Sequence, residues 1–346
     1  MTQLPTVREA LLAETAEGGR TVCRLCERLC RIPPGSHGFC RTRANIGGRL
    51  YTLVYGDLAA VESRPIEIKP FFHFWPGSRA ITFCSVSCNL SCQWCQNFHL
   101  SRAVPDPTHA RCIPPEVLVA MAKAGGDQGV CISFTEPTLL FEYACDLFPL
   151  ARANGLYTTM VSNGYLTLEA LQTLATHGLE ALKIDVKGGD AVYHKYCGGV
   201  KAEVVWRNAQ RAKALGLHVE IVALIITGVN DHEQSLRSLI AKHLRHLGPT
   251  TPLHFTRYYP AYKFTNPPTA ISTLEQAHRL AKEAGVLYPY LGNVAGHSLE
   301  NTYCPACGEL LIERYGYLLR KCTLTADKRC PRCREPIPIV GQVCRG

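Results

Sequence analysis

Cys88-Asn-Leu-Ser-Cys92-Gln-Trp-Cys95 places three cysteines at x3 and x2 spacing, directly after the short apolar run Ala80-Ile-Thr-Phe-Cys84. Three thiolates are one too few to close a tetrahedral zinc site and one too few to saturate a four-iron cluster. A cluster held by three cysteines keeps one iron open for a further ligand. The plain alternative is three buried or zinc-binding cysteines that fall close together. Two other sets bracket this one. Cys304-Pro-Ala-Cys307 and Cys330-Pro-Arg-Cys333 have the paired Cys-x2-Cys spacing of a zinc ribbon. The short segment around them cannot build an adequate core, so a structural zinc is expected to supply folding energy. Cys23, Cys26, Cys30 and Cys40 form a third set. Thiolates suit both zinc and iron–sulfur clusters, so zinc is expected there, with an auxiliary iron–sulfur cluster as the alternative. Cys84, Cys112, Cys131, Cys145, Cys197, Cys322 and Cys344 lack such spacing and read as small buried hydrophobes.

The elements that must position these groups divide the chain into three. Residues 1–70 are Gly-, Pro- and Arg-rich and carry the first cysteine set. Residues 71–298 alternate short β-branched runs with longer amphipathic ones, and 299–346 carry the CPxC pairs. The middle segment predicts strands at 80–84, 129–134, 156–161, 181–186, 217–225 and 252–257. It predicts helices near 115–125, 138–153, 167–177, 202–215, 232–246 and 273–284. Thr167 and Asp231 read as helix caps, and Gly155, Gly178, Gly216, Gly248 and Gly285 as helix stops. Strands alternating with helices imply a parallel sheet with right-handed crossovers. The segment is too short for a closed eight-unit barrel, so the expected fold is an α/β partial (β/α)6 barrel.

Ligands of such folds bind at the carboxyl ends of the strands. The polar residues cluster there: the cysteine loop, Phe134-Thr-Glu136, Ser162-Asn163-Gly164-Tyr165, Lys183-Ile-Asp185-Val-Lys187, and His254-Phe-Thr-Arg257-Tyr258-Tyr259. The set CNLSCQWCQN, TEP, SNGY, IDVKG and GNVAGH, with cysteine-rich segments at both ends, resembles the radical S-adenosylmethionine (SAM) member of the AmmeMemoRadiSam system. That group is related to the activating enzymes of glycyl-radical enzymes such as pyruvate formate-lyase. The likeness runs from about Cys23 to Cys333.

The resemblance implies that Cys88, Cys92 and Cys95 hold a 4Fe–4S cluster whose free iron binds SAM. Reductive cleavage then yields a 5′-deoxyadenosyl radical that abstracts hydrogen from a substrate. It implies that Trp94 packs on the adenine, against an ordinary core aromatic as the alternative. Thr135 and Glu136 stand where a Gly-Gly-Glu-type motif contacts the SAM ammonium. Ser162 and Asn163 would reach the ribose or carboxylate. Asp185 and Lys187 match an Asp-x-Lys motif whose lysine pairs with the SAM carboxylate, against a buried salt bridge. Asn293 and His297 would close the adenine side. His254, Tyr258 and Tyr259 are candidates to face the substrate, against a packed strand with one polar face. A low-potential electron donor and Memo-like and AMMECR-like partner proteins are implied as well.

Composition narrows the alternatives. A 47 % apolar, 19 % charged chain of 346 residues supports a sizeable core. The N-terminus lacks a charged start followed by an apolar stretch, and no apolar run could span a bilayer, so a cytoplasmic protein without membrane contact is expected. The formal charge of +9 falls to roughly +5 if two four-thiolate zinc sites each carry about −2. That is too little to argue for nucleic acid, which counts against a non-catalytic zinc-ribbon nucleic-acid binder. A glycyl-radical activase is the other alternative, and the cysteine-rich ends do not resemble the compact core of a simple one.

Overall fold

The computed structural model describes residues 2–344. Its centre is an eight-stranded sheet in sequential order: β1 (Ala60–Pro65), β2 (Arg79–Cys84), β3 (Gly129–Ile132), β4 (Tyr157–Ser162), β5 (Ala181–Val186), β6 (His218–Ile225), β7 (Leu253–Arg257) and β8 (Pro289–Gly292). β2 to β8 run parallel, and β1 joins β2 antiparallel. β1 and β8 stand at opposite edges of the sheet, so the barrel is open. Six helices cross between the parallel strands: α1 (Pro115–Ala124), α2 (Phe141–Ala153), α3 (Leu168–Thr176), α4 (Ala202–Ala214), α5 (Glu233–Leu247) and α6 (Ile271–Glu283). The partial (β/α)6 barrel expected from the sequence is present, with β8 and the antiparallel β1 added to it.

The helices form where apolar residues recur at three- and four-residue steps. In α5, Leu236, Leu239, Ile240, His243 and Leu247 make the buried stripe. α3 starts where the Thr167 hydroxyl accepts the Ala170 N–H at 3.1 Å. Asp231 does not cap α5 as expected. Its carboxylate takes the Gly228 N–H at 3.0 Å within the preceding turn, and the helix begins beyond His232. The chain leaves α5 through Gly248 at φ +76°, a left-handed conformation that a side chain would strain.

Both terminal segments pack on the barrel. The N-terminal one forms two small antiparallel sheets, Ala13–Ala16 with Arg20–Cys23 and Arg31–Ile32, and Arg8–Glu9 with Arg49–Thr52 and Arg43–Ile46. Arg43 ties the second sheet to α2 through a buried bidentate pair with Glu142 at 2.6 and 2.8 Å. Tyr55 donates to Asp146 of the same helix at 2.5 Å. The C-terminal segment is a three-stranded sheet, Thr302–Tyr303, Leu310–Tyr315 and Leu318–Cys322. Its core includes Phe72, Tyr288 and Tyr290 of the barrel end.

That barrel end is plugged. Glu220 of β6 accepts from the Phe72 and His73 N–H groups and bonds His218 and His254, with all four distances between 2.7 and 3.1 Å. A fully buried carboxylate so satisfied stays charged at little cost. No helix among the described residues is long and apolar enough to cross a membrane.

Candidate active site

The opposite end of the barrel opens as a wide cavity. Cys88, Cys92 and Cys95 line it from the loop after β2. Facing them are Glu136 after β3, Asn163 after β4, and Asp185 and Lys187 at the end of β5. Each comes from a strand terminus, where the backbone leaves the sheet and side chains are free to converge.

The three thiols fit a cluster better than a single ion. Among the described residues, the group whose ligand atoms all lie within 4.8 Å of one another is the C-terminal set, not these three. Cys88 receives the Leu90 N–H at 3.4 Å and the Asn163 amide at 3.8 Å. Cys95 contacts the Ser101 hydroxyl at 3.2 Å. Burial pushes the Cys88 thiol well above its usual range. Cys92 is raised too, first by a hydrogen bond with Cys197 and then by burial. Burial favours the thiol form, so a metal must displace these protons when it binds. Cys197, expected as an inert core thiol, is fully buried beside Cys92.

Glu136 is held rigid. Its Oε1 accepts from Thr138 N (3.2 Å), Thr138 Oγ1 (2.6 Å) and Ser162 Oγ (2.7 Å), and its Oε2 from Asn163 N (2.9 Å). Burial raises its carboxyl above the ordinary range, and these donors oppose the rise. Ser162 therefore spends its hydroxyl on Glu136 and is not on the cavity wall. Thr135 lines the wall but donates to Ser85 O at 2.8 Å. Phe134 adopts φ +63°, a left-handed conformation that favours glycine. A left-handed non-glycine residue costs on the order of 1–3 kcal/mol and persists only where neighbours impose it. Here Asn97 donates to the Phe134 carbonyl at 2.8 Å, and the Lys69 ammonium sits 3.8 Å over its ring.

On β5, Asp185 lies between two ammonium groups, Lys183 at 2.5 Å and Lys187 at 3.3 Å. Burial works against its charge, but Lys183 and then Lys187 outweigh it and hold the carboxyl at about 2. The salt bridge and the cavity position thus coexist in one row. Trp94 is 3 % exposed and packs on Tyr196 and Phe264, yet it lines the cavity with its indole N–H unpaired.

Other expected residues lie elsewhere. Asn293, at φ +59°, is on the wall and donates to Arg257 O at 3.1 Å. His297 bonds Glu275 of α6 at 3.2 Å, away from the cavity. His254 does not face a substrate. It is fully buried in the plug, 2.7 Å from Glu220 and stacked on Tyr290. Tyr258 is also buried, with its hydroxyl on Phe264 O at 3.0 Å. Tyr259 lines a second depression that shares Gln96, Asn293 and Tyr317 with the main cavity.

The structure adds wall residues that the sequence did not single out. Lys69 is 6 % exposed, and burial lowers its ammonium to about 8. Thr256 lines the wall, with its hydroxyl buried and without a hydrogen-bond partner. Tyr317 reaches the mouth from the C-terminal hairpin turn. A lysine just before β2 carried no motif, and Tyr317 belongs to a segment read as a metal-stapled appendage.

The C-terminal cysteines converge as a tetrahedral ion requires. Cys304 and Cys333 sulfurs are 3.5 Å apart, and Cys307 and Cys330 3.6 Å. Zn–S bonds of about 2.3 Å in a tetrahedron separate sulfurs by roughly 3.8 Å. Cys131 and Cys145 are buried as expected, whereas Cys112, Cys322 and Cys344 are only partly so.

Comparison with known proteins bears on this geometry. The Radical SAM superfamily profile matches residues 83–240, from the end of β2 into α5. The chain is 41 % identical over 336 residues to the uncharacterized protein MJ0808 of Methanocaldococcus jannaschii, covering 96 % of this chain and 100 % of that one. Streptococcus suis SuiB is 15 % identical with a TM-score of 0.50, over 66 % of this chain and 52 % of that chain, so only about half of SuiB is spanned and the likeness is one of fold. A domain of a pyruvate-formate lyase-activating enzyme from Bacteroides vulgatus matches 48 % of this chain and 99 % of its own at 20 % identity and a TM-score of 0.41. With a family profile over the barrel and a full-length relative, the chain belongs to the radical SAM superfamily.

Proposed function

We propose that this protein is a radical SAM enzyme that cleaves SAM reductively at a 4Fe–4S cluster and abstracts hydrogen from a substrate still to be identified. The observation that carries the reading is the convergence of Cys88, Cys92 and Cys95 with Glu136 and Lys187 on one cavity wall. A four-iron cluster on those three sulfurs, with SAM at its open iron, supplies one-electron cleavage of the sulfonium to methionine and a carbon radical.

The chain's own residues do the rest. Lys187 offers an ammonium to the SAM carboxylate, and Glu136 offers a fixed oxygen to its ammonium. The two opposite charges on that wall fix how the amino-acid end of SAM is oriented. Val161, Val222, Leu224, Phe134 and Trp94 present apolar surface that keeps water from a reactive radical. The depression beside Tyr259 leaves room for a hydrogen donor next to the cofactor pocket.

The appended segments enter through Lys69 and Tyr317, which favours a whole-chain enzyme over a bare activase core. Zinc at the C-terminal cysteines would fix the hairpin that carries Tyr317. A reduced low-potential protein is the proposed electron donor. The resemblance of its motif set supports an AmmeMemoRadiSam assignment, with Memo-like and AMMECR-like proteins as candidate partners.

The test is anaerobic reconstitution with iron and sulfide, then dithionite and SAM. Methionine and 5′-deoxyadenosine should form in equal amounts. A protein carrying a cluster that yields neither would overturn the reading.

A further inference from the structure

The N-terminal cysteines surround a second, smaller cavity. Cys23, Cys26, Cys30 and Cys40 line a small pocket together with Arg43 and Asn89. Three of the four are buried. Zinc was the expectation for this set, and the internal comparison argues against it. The C-terminal thiols have collapsed into two sulfur pairs at 3.5 and 3.6 Å, the spacing one tetrahedral ion imposes. Among the described residues, no three of the N-terminal sulfurs lie within 4.8 Å of one another. The same holds for Cys88, Cys92 and Cys95. The chain thus has one thiol set gathered as a single ion requires and two sets spaced more widely.

A four-iron cube accounts for that spread. It puts each thiolate on a different iron, so the four sulfurs stand farther apart than around a single ion, with the inorganic core between them. The surroundings suit an anionic group. The Arg43 guanidinium lines the pocket, and Arg28 closes the side beside Asn89, donating to its carbonyl at 2.5 Å.

We propose that Cys23, Cys26, Cys30 and Cys40 hold a second four-iron cluster, with all four irons closed by thiolate. Such a cluster exchanges single electrons and has no open iron to take a substrate. Its position fits that use, because the two cysteine sets are joined by short contacts. Ser87, next to Cys88, donates to the Cys40 carbonyl at 2.5 Å. Asn89 lines the N-terminal pocket and accepts from Asn163 at 2.7 Å, and the same Asn163 amide lies 3.8 Å from Cys88 Sγ.

The test separates this site from the loop site. The triple variant Cys88→Ala, Cys92→Ala, Cys95→Ala is purified and reconstituted without oxygen, and its metals are counted. About four irons, four sulfides and one zinc per chain are expected, with a reduced-cluster paramagnetic signal that SAM leaves unchanged. Two zincs without iron, or only about two irons, would overturn the proposal. The unmodified chain is the second measurement and keeps the answer open if the variant aggregates. It should carry about eight irons and one zinc, and about four irons with two zincs refutes the second cluster. Four irons in the unmodified chain that all persist in the triple variant would sink the loop assignment and leave this one standing.

Discussion

Lys187→Ala separates cofactor binding from architecture, because Asp185 has two cationic partners. The Lys183 ammonium is 2.5 Å from one carboxylate oxygen and the Lys187 ammonium 3.3 Å from the other. Deleting Lys187 removes the longer contact and leaves the shorter one intact, so Asp185 stays paired. The folding cost should then be that of a partly solvated ion pair, roughly 1 kcal/mol. The effect on SAM is larger. A charge-assisted hydrogen bond from Lys187 to the SAM carboxylate contributes about 1.5–3 kcal/mol, which is roughly 10- to 150-fold in Kd. The assay is anaerobic titration of the reconstituted variant with SAM, beside a urea unfolding curve. Unchanged SAM affinity together with a stability loss of about 3–5 kcal/mol, the signature of a broken buried pair, would show that Lys187 is only structural. Lys183→Ala is the complement: its side chain is 5 % exposed against 14 % for Lys187, so stability should suffer more than affinity.

Cys92→Ala should abolish the loop cluster and 5′-deoxyadenosine formation while the zinc content holds; product at the parental rate would refute the ligand assignment. Cys197→Ala should leave the loop cluster's iron in place, since Cys197 contacts a ligand and is not one; loss of that iron would make it a fourth ligand and close the open position. Lys69→Met should stabilise the fold at pH 7, because burial holds this lysine at about 8 against an ordinary 10.5. A lowered lysine makes the folded state bind fewer protons, so parental stability rises with pH between about 8 and 10.5. The gain in the variant, at most about 3 kcal/mol, should shrink over that window, and a constant difference across it would contradict the assignment. Cys330→Ser should lose one zinc per chain and lower SAM turnover by loosening the hairpin that carries Tyr317; full turnover in a zinc-free variant would show that the hairpin does not serve the mouth.

Much of the barrel was legible because each element announces itself locally. The stripe of α5, the Thr167 cap and the glycines after the helices are written within a few residues of where they act. The strand-end rule likewise brought Glu136, Asn163, Asp185 and Lys187 to one cavity. What lay beyond reach comes from distant segments. Lys69 and Tyr317 reach the mouth only because the residues before β2 and the C-terminal hairpin fold back over it. Asp231 failed as a cap for a local reason: it found a nearer donor in Gly228.

The misplacement of His254 has a geometric cause that reaches beyond one residue. Period-two alternation correctly assigns His254 and Thr256 to the inner face of β7. Depth is a separate coordinate. Strands in a barrel tilt by about 36° to its axis, so residues paired across neighbouring strands do not share a level. Asp185 pairs with Val222, Val222 with His254, and His254 with Tyr290. Following that row from β5 to β8 descends from the cavity wall at Asp185 to the plug beneath it, where His254 meets Glu220. The residue of β7 that reaches the mouth is therefore Thr256, one inward position farther along, with its hydroxyl unpaired. Sequence alone gives the face of a strand, and the stagger between strands decides which inward residue a ligand can touch. On that reasoning Thr256, and not His254, is the β7 side chain at the level of the cavity.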